Sequence, residues 1–280
     1  MIQLSHEHQE AFNTDGFVIV ENILTSAEID AARERFPLLF RGKFETGLQP
    51  DEWNWREGRD SDALTRQICN GWKADRTVSS IVLREDIGRA CAELRGWPGA
   101  RINQDNVIWK PPGTRPLGFH QDDSYQNWIV PNEMMTCWIT LDDTSADGGT
   151  IEYVRGSHLW PLAPPIGQFH APDDPLADMR PAAEAAGAKP DIVPIEVPAG
   201  SAVFHHGRTW HGSRDNRGDN HRRSIVAHCM SSEARFHREH LSPVYSRYQR
   251  YGSDEMDESF FPILWREDGY RSAWLGRISS

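Results

Sequence analysis

His120, Gln121 and Asp122, followed by His211 and then Arg222, are the residues of this 280-residue chain whose types and spacing could do chemistry. In an extended strand residues i and i+2 point to one face, so His120 and Asp122 would present an imidazole nitrogen and a carboxylate oxygen to one point while Gln121 faces away. One more imidazole from a neighbouring strand would complete two histidines and one carboxylate on one face of an octahedron, with three positions open. That donor set suits a non-haem Fe(II) centre, and with a bound water it would also serve a zinc hydrolase. His211, which follows the apolar run Ala202, Val203, Phe204, is the candidate third ligand.

Beyond His211 the chain passes through Arg214 to Asn220, rich in turn formers, and returns as the strand-like run Arg222 to Ala227. A hairpin symmetric about the bond between Arg217 and Gly218 would set Ser213 opposite Arg222. A guanidinium holds a carboxylate through two parallel hydrogen bonds, and a hydroxyl beside it adds a third. Such a pair next to an open metal would suit the distal carboxylate of a small diacid. A slip of one residue would turn Arg222 away and bring Arg223 in. His205 and His206 are neighbours, so only one of them can point inward; structural roles are expected for both. Asp123 is expected to be a solvated or salt-bridged carboxylate facing away from Asp122, and His158 to order a loop.

The order of these pieces resembles a known family. Lys110-Pro111-Pro112-Gly113, then Phe119 to Asp122, then Gly148-Gly149-Thr150 running to Gly156-Ser157-His158, then His211-Gly212-Ser213 with Asn216 and Arg222, are similar to the phytanoyl-CoA dioxygenase family of Fe(II)/2-oxoglutarate oxygenases. The opening stretch, with Phe12, Asp15 to Val20, Leu24-Thr25 and Glu28-Ile29, is similar too, so the resemblance covers about residues 4 to 230. It implies that His120, Asp122 and His211 ligate iron, that Arg222 and Ser213 hold the C5 carboxylate of 2-oxoglutarate, and that O2 takes the remaining position. It also implies cosubstrate or substrate contacts for Lys110 and Gln104, and a cosubstrate contact for Thr150. Arg155 departs from the family, which commonly has proline before Gly-Ser-His. Related halogenases replace the metal-binding carboxylate with a small residue; this chain keeps Asp122, which favours hydroxylation of an unactivated C–H bond. Tyr125, Trp128 and Met134, just downstream of the metal motif, are candidates for the wall of a substrate pocket. The rival readings are a non-catalytic jelly-roll ligand-binding protein and a zinc hydrolase with the same ligands.

The formal charge of −11, from 30 basic and 41 acidic residues, argues against nucleic acid or an anionic membrane as the main partner and leaves a small-molecule substrate. No stretch approaches the ~18 apolar residues of a membrane-spanning helix, and the start has neither the basic nor the apolar region of a secretory signal, so a cytoplasmic protein is expected. Cys69, Cys91, Cys137 and Cys229 lie far apart among apolar neighbours and read as buried thiols.

The chain reads as one oxygenase domain over 1–280. A helical part over 1–100 comprises a helix at residues 5 to 13, a strand from Phe17 to Glu21, a helix from Thr25 to Leu39 opened by a Thr25/Glu28 capping box, an irregular arm from Phe44 to Asp62, and a helical region from Arg76 to Leu94. Short β-rich runs follow over 101–230: Arg101 to Lys110, Leu117 to Asp122, Thr136 to Leu141, Gly149 to Val154, Ile192 to Val197, Ser201 to His206 and Arg222 to Met230. Strands of this length between Gly, Pro and Asp turns predict a mainly β fold with flanking helices, a double-stranded β-helix or cupin-like jelly roll. A proline-rich interruption at 160–198 reads as a lid or as a loose surface excursion. The aromatic extension over 231–280 is expected to pack across the barrel or to form a homodimer contact.

Overall fold

The strands assemble, in a computed structural model that describes residues 1–277, into two main antiparallel sheets placed face to face, with a separate two-stranded sheet of Ile129–Val130 and Arg235–Phe236. The larger runs in the order Phe17–Val20, Ala202–His206, Met135–Thr140, Arg222–Ser231, Gly99–Lys110, Arg66–Cys69, Glu52–Trp53, with Ile263–Arg266 also paired to Gly99–Lys110. The smaller runs Leu117–His120, His211–Ser213, Ile151–Val154, Ile192–Pro194. This is the jelly roll expected from the strand pattern.

Alternation along each central strand decides what each face touches. Met135, Cys137 and Ile139 join Ile225, Ala227 and Cys229 in a core shared with the helices on the outer face of the large sheet. Trp138, Val203 and Val226 point the other way and meet Ile151 and Tyr153 of the small sheet. All four cysteines are free and buried, as their neighbours suggested.

The helices cover the large sheet because their apolar residues recur with helical spacing. In the Ser26–Phe40 helix these are Ile29, Ala32, Phe36, Leu39 and Phe40. Its start is set by the capping box: Thr25 Oγ1 accepts from the Glu28 amide, and the Glu28 carboxylate accepts from the Thr25 amide at 2.7 Å. The region expected as one helix from Arg76 to Leu94 is two, Arg76–Val82 and Glu85–Arg95, because Arg84 between them is extended. Strands Arg66–Cys69 and Ile263–Arg266 were not anticipated; both are short and lack clean alternation. No helix among the described residues is long and apolar enough to cross a membrane.

The 160–198 interruption is a packed cover on the outer face of the small sheet. It contributes the Met179–Ala185 helix and the Ile192–Pro194 strand, and buries Trp160, Met179 and Ala183 against Phe119, Val154 and Trp210. Its backbone is tied down, since the amides of Gly118 and Phe119 donate to the carbonyls of Phe169 and Pro175 at 2.9 and 2.8 Å. Close packing inside the small sheet gives a stability prediction. A Cβ on Gly212 would lie 2.5 Å from the Phe119 ring and 3.0 Å from the Leu117 carbonyl. Gly212→Ala should therefore force apart the strands that carry His120 and His211, at a cost of about 1–3 kcal/mol in denaturant unfolding.

Candidate metal centre

His120 ends the Leu117–His120 strand and His211 begins the His211–Ser213 strand; they are directly paired, with ring centroids 4.2 Å apart. Asp122 lies beyond the strand, in a 3-10 turn spanning Asp122–Tyr125. The expected strand through Asp122 is thus too long by two residues, yet Gln121 keeps extended angles (φ −113°, ψ 131°), so the i, i+2 alternation still carries Asp122 to the same side as His120. One nitrogen from each histidine and one Asp122 oxygen lie within 4.8 Å of one another. Gln121 faces away, donating to the Arg208 carbonyl and accepting from the Ala163 amide.

The surroundings prepare each of these groups to bind a cation. His120 Nδ1 is 2.9 Å from the Gly118 carbonyl and His211 Nδ1 is 2.9 Å from the Thr209 carbonyl. A carbonyl can only accept, so each ring carries its proton on Nδ1 and turns a free Nε2 toward Asp122 Oδ1, at 3.6 and 3.7 Å. Burial holds the His211 pKa well below its ordinary value, with His120 and His205 adding to the effect, so the ring is neutral as a ligand must be. The two oxygens of Asp122 have different partners. Oδ2 accepts from Thr136 Oγ1 at 2.6 Å and from His205 Nε2 at 3.1 Å, which leaves Oδ1 for a metal. Burial would push this carboxyl up, but His211 and His228, helped by His120 and His205, hold it well below the usual carboxylate range.

That outer layer continues inward. Asn106 Nδ2 donates to His228 Nε2 at 2.9 Å, His228 Nδ1 donates to Thr136 Oγ1 at 2.8 Å, and Thr136 in turn donates to Asp122. On the other side the Tyr153 hydroxyl donates to His205 Nδ1 at 2.8 Å, which fixes the tautomer that donates to Asp122. His205 is thus structural, as expected, but it sits at the centre. His206 points out toward Phe12 and His158, and burial pushes its pKa down to about 3. Sequence reasoning missed His228, Thr136, Tyr153 and Asn106. The same alternation could have found His228, which is six residues from Arg222 on one strand and so shares its face.

A cavity of roughly 720 Å³ opens from the triad, within the range of small-molecule sites. Arg222, not Arg223, points into it. Arg223 faces outward and is held bidentately by Asp142, with contacts of 3.0 and 2.6 Å. The hairpin expected to join Ser213 to Arg222 does not form. Ser213 belongs to the small sheet and Arg222 to the large one, where it pairs with Lys110. The segment between them is an arch crossing from sheet to sheet, anchored by Asn216, whose amide group donates to the carbonyls of Lys110 and Asn220 at 2.9 Å each. Ser213 and Arg222 nonetheless line one cavity, approached from opposite walls.

Arg222 is buried, donates from Nε to the Gly149 carbonyl and from Nη1 to Ser224 Oγ, both at 3.1 Å, and has no carboxylate within 4 Å among the described residues. Burial lowers its pKa to about 10, so it is still a cation near neutral pH. An uncompensated buried cation is costly and calls for an anion.

The remaining candidates divide. Tyr125, Trp128 and Gln104 line the cavity, and Gln104 also accepts from the Tyr245 hydroxyl. Met134 does not line it; it packs in the cluster behind Trp128. Lys110 and Thr150 do not line it either: Lys110 Nζ donates to Ser213 Oγ at 3.0 Å and to the Arg115 and Arg214 carbonyls, and Thr150 Oγ1 donates to the Ile195 carbonyl at 2.7 Å. Asp123 faces away from Asp122 and, of the two expectations, is salt-bridged and not solvated: it is buried, with Oδ2 3.7 Å from Arg208 Nε, Oδ1 accepts from the Met134 amide at 2.8 Å, and burial pushes its pKa up to about 7. His158 holds a loop, with Nε2 3.2 Å from the Asn13 carbonyl. From the cover, Phe169 reaches the site, its ring 4.9 Å from that of His120.

Residues 12–224, which include every residue of this centre except His228, match the phytanoyl-CoA dioxygenase (PhyH) family model. The chain belongs to this family. A probable alpha-ketoglutarate-dependent hypophosphite dioxygenase of Stutzerimonas stutzeri is 23% identical over 81% of this chain and 79% of its own length. Among solved structures, the carbocyclase SnoK of nogalamycin biosynthesis superposes with a TM-score of 0.72 at 24% identity, covering 93% of this chain and 96% of its own. The epimerase SnoN, crystallised with Fe3+, alpha-ketoglutarate and nogalamycin RO, gives 0.69 at 21% identity over 92% of this chain and 98% of its own. At these identities the two structures share the fold.

In this PhyH family member Thr136 links the His228 side of the outer layer to the carboxylate, donating to Asp122 while accepting from His228. Thr136→Val should lower iron affinity by about 10- to 100-fold, the usual effect of removing an outer partner of a metal ligand, and Thr136→Ser should restore it. Titration of the apo-protein with Fe(II) under anaerobic conditions measures this.

Proposed function

We propose that this PhyH family member is an Fe(II)- and 2-oxoglutarate-dependent dioxygenase that hydroxylates an unactivated C–H bond of a small organic substrate. The observation that carries the reading is Arg222, a buried cation with no counter-ion among the described residues, in the same cavity as His120, His211 and Asp122. A binding module or a zinc hydrolase needs the cavity or the triad, but neither has a use for that cation.

Within this reading His120 Nε2, His211 Nε2 and Asp122 Oδ1 hold the iron, and the unequal partners of Asp122 keep its ligation to one oxygen. Arg222 receives the distal carboxylate of 2-oxoglutarate through the guanidinium edge not engaged by Gly149 and Ser224, with Ser213 facing it from the other wall. When bound, iron, 2-oxoglutarate and O2 supply an oxidant able to remove hydrogen from carbon, with release of succinate and CO2. The chain's part is to orient the reactants and exclude water. Phe169, Trp138 and Val226 give the cavity near the triad an apolar lining that serves the second task.

A carbocyclase and an epimerase share this fold, so the fate of the substrate is tested separately from the cofactors. Incubation with Fe(II), ascorbate and 2-oxoglutarate under air should yield succinate, and the substrate should gain one oxygen atom derived from O2. No succinate would sink the oxygenase reading. Succinate with a product that has lost two hydrogens, or has only changed configuration, would replace hydroxylation and keep the rest.

A further inference from the structure

The large sheet is wider than the small one, and its surplus strands extend the cavity floor away from the metal. Asn106, Cys69 and Glu52 are successive register partners on neighbouring strands, so all three side chains stand on the interior face. Asn106 reaches the triad through His228 and Thr136. Glu52, two strands further on, lies about 10 Å from the Asn106 backbone at the usual ~4.8 Å strand spacing. Around it the floor is made of neutral amides, Asn54, Gln67 and Gln104, while Tyr245 and Trp128 close the aromatic side. Their rings are 5.2 Å apart.

The charge of this far end is one-sided. Arg222 is the only lysine or arginine lining the cavity among the described residues, and it stands beside the triad. The two carboxylates lining it are Asp122, held by the centre, and Glu52. Glu52 makes no ion pair among the described residues, although its chain neighbour Asp51 is surrounded by Lys73, Arg247 and Tyr248. A cation supply is therefore one residue away, yet Glu52 lines the cavity and pairs with neither Lys73 nor Arg247.

We infer that Glu52 is the receptor for a protonated amine on the substrate, and that this enzyme acts on a polar small molecule whose amine lies at the opposite end from its reacting carbon. The inference rests on the oxygenase reading for which end of the cavity is reactive. Amides accept and donate without charge, so they suit hydroxyl and carbonyl groups between the two ends, and the faces of Trp128 and Tyr245 favour a cation as well. The same lining disfavours a polyanionic thioester, which would meet a carboxylate and no spare cation.

Three probes with one skeleton and different charge test this: 4-hydroxyphenethylamine, 4-hydroxyphenethyl alcohol and 4-hydroxyphenylacetate. Their dissociation constants are measured by ligand-observed NMR on the anaerobic Fe(II)·2-oxoglutarate protein, wild type and Glu52→Gln. The amine should bind wild type about tenfold more tightly than the acid, with the alcohol between, and Glu52→Gln should remove that advantage. The visible band of the iron·2-oxoglutarate complex should be the same in both proteins, which shows that the metal end is intact. If the amine shows no binding, or binds within about twofold of the acid, or keeps its advantage in Glu52→Gln, the inference is overturned while the oxygenase reading stands. Absence of the band in wild type would overturn both.

Discussion

His211→Ala is expected to abolish iron binding and, with it, 2-oxoglutarate turnover. The loss should exceed the roughly 10- to 100-fold expected for an outer partner such as Thr136, because a metal ligand itself is removed. The fold should survive. The backbone of His211 pairs with His120 and Tyr153 whatever its side chain, and the ring leaves a polar hollow that opens on the cavity. The measurement is iron content after anaerobic loading and desalting, with circular dichroism as the control for folding. A variant that folds and retains stoichiometric iron would remove His211 from the ligand set. His205 would then be the nearest replacement, since its ring centroid lies 4.4 Å from that of His211.

The second large effect is expected at Arg222. Arg222→Met keeps much of the volume and removes the charge. Truncating one partner of a buried, hydrogen-bonded charge pair costs about 2–5 kcal/mol, so 2-oxoglutarate affinity should fall by at least about thirtyfold while Fe(II) still binds. Lysine should rescue poorly, because a point charge lacks the planar fork. Stability offers an independent check. Arg222 is a buried cation with no counter-ion among the described residues, so its removal should leave the apo melting temperature nearly unchanged, the lost bonds to Gly149 and Ser224 offset by relief of the charge. What should disappear is the rise in melting temperature that 2-oxoglutarate gives the wild type, since a ligand stabilises only by binding the native state. Equal stabilisation of both proteins by 2-oxoglutarate would contradict the role given to Arg222.

Much of this centre was legible in the chain because period-two alternation is a local property. It placed His120 and Asp122 on one side, but it could say only that Arg222 and Arg223 face opposite ways; the choice of Arg222 came from the family resemblance and an assumed hairpin register. It failed to join Ser213 to Arg222 correctly, because pairing between strands is not local. Seven residues of turn formers suit a hairpin and a sheet-to-sheet arch equally, and what selects the arch is Asn216 bonding to Lys110, 106 positions away in sequence. The outer layer was hidden for the same reason. Thr136, Tyr153, Asn106 and His228 come from four strands, and each alone reads as an ordinary core residue. Glu52 was read as part of an irregular arm, since a two-residue strand leaves no pattern. Of the aromatic tail, Phe236 and Phe261 pack around Trp128, and Tyr245 also reaches the cavity.

The central claim is that one cavity holds iron on His120, Asp122 and His211 and presents 2-oxoglutarate to it from Arg222. Anaerobic addition of Fe(II) and then 2-oxoglutarate tests both halves at once, because the visible metal-to-ligand charge-transfer band requires the 2-oxo acid to chelate a protein-bound iron. The wild type should give the band with saturation at one 2-oxoglutarate per chain. His211→Ala should give none, and Arg222→Met should need a much higher 2-oxoglutarate concentration to reach the same absorbance. A wild-type protein that binds Fe(II) yet develops no band, or a band that Arg222→Met leaves unchanged, would contradict the account.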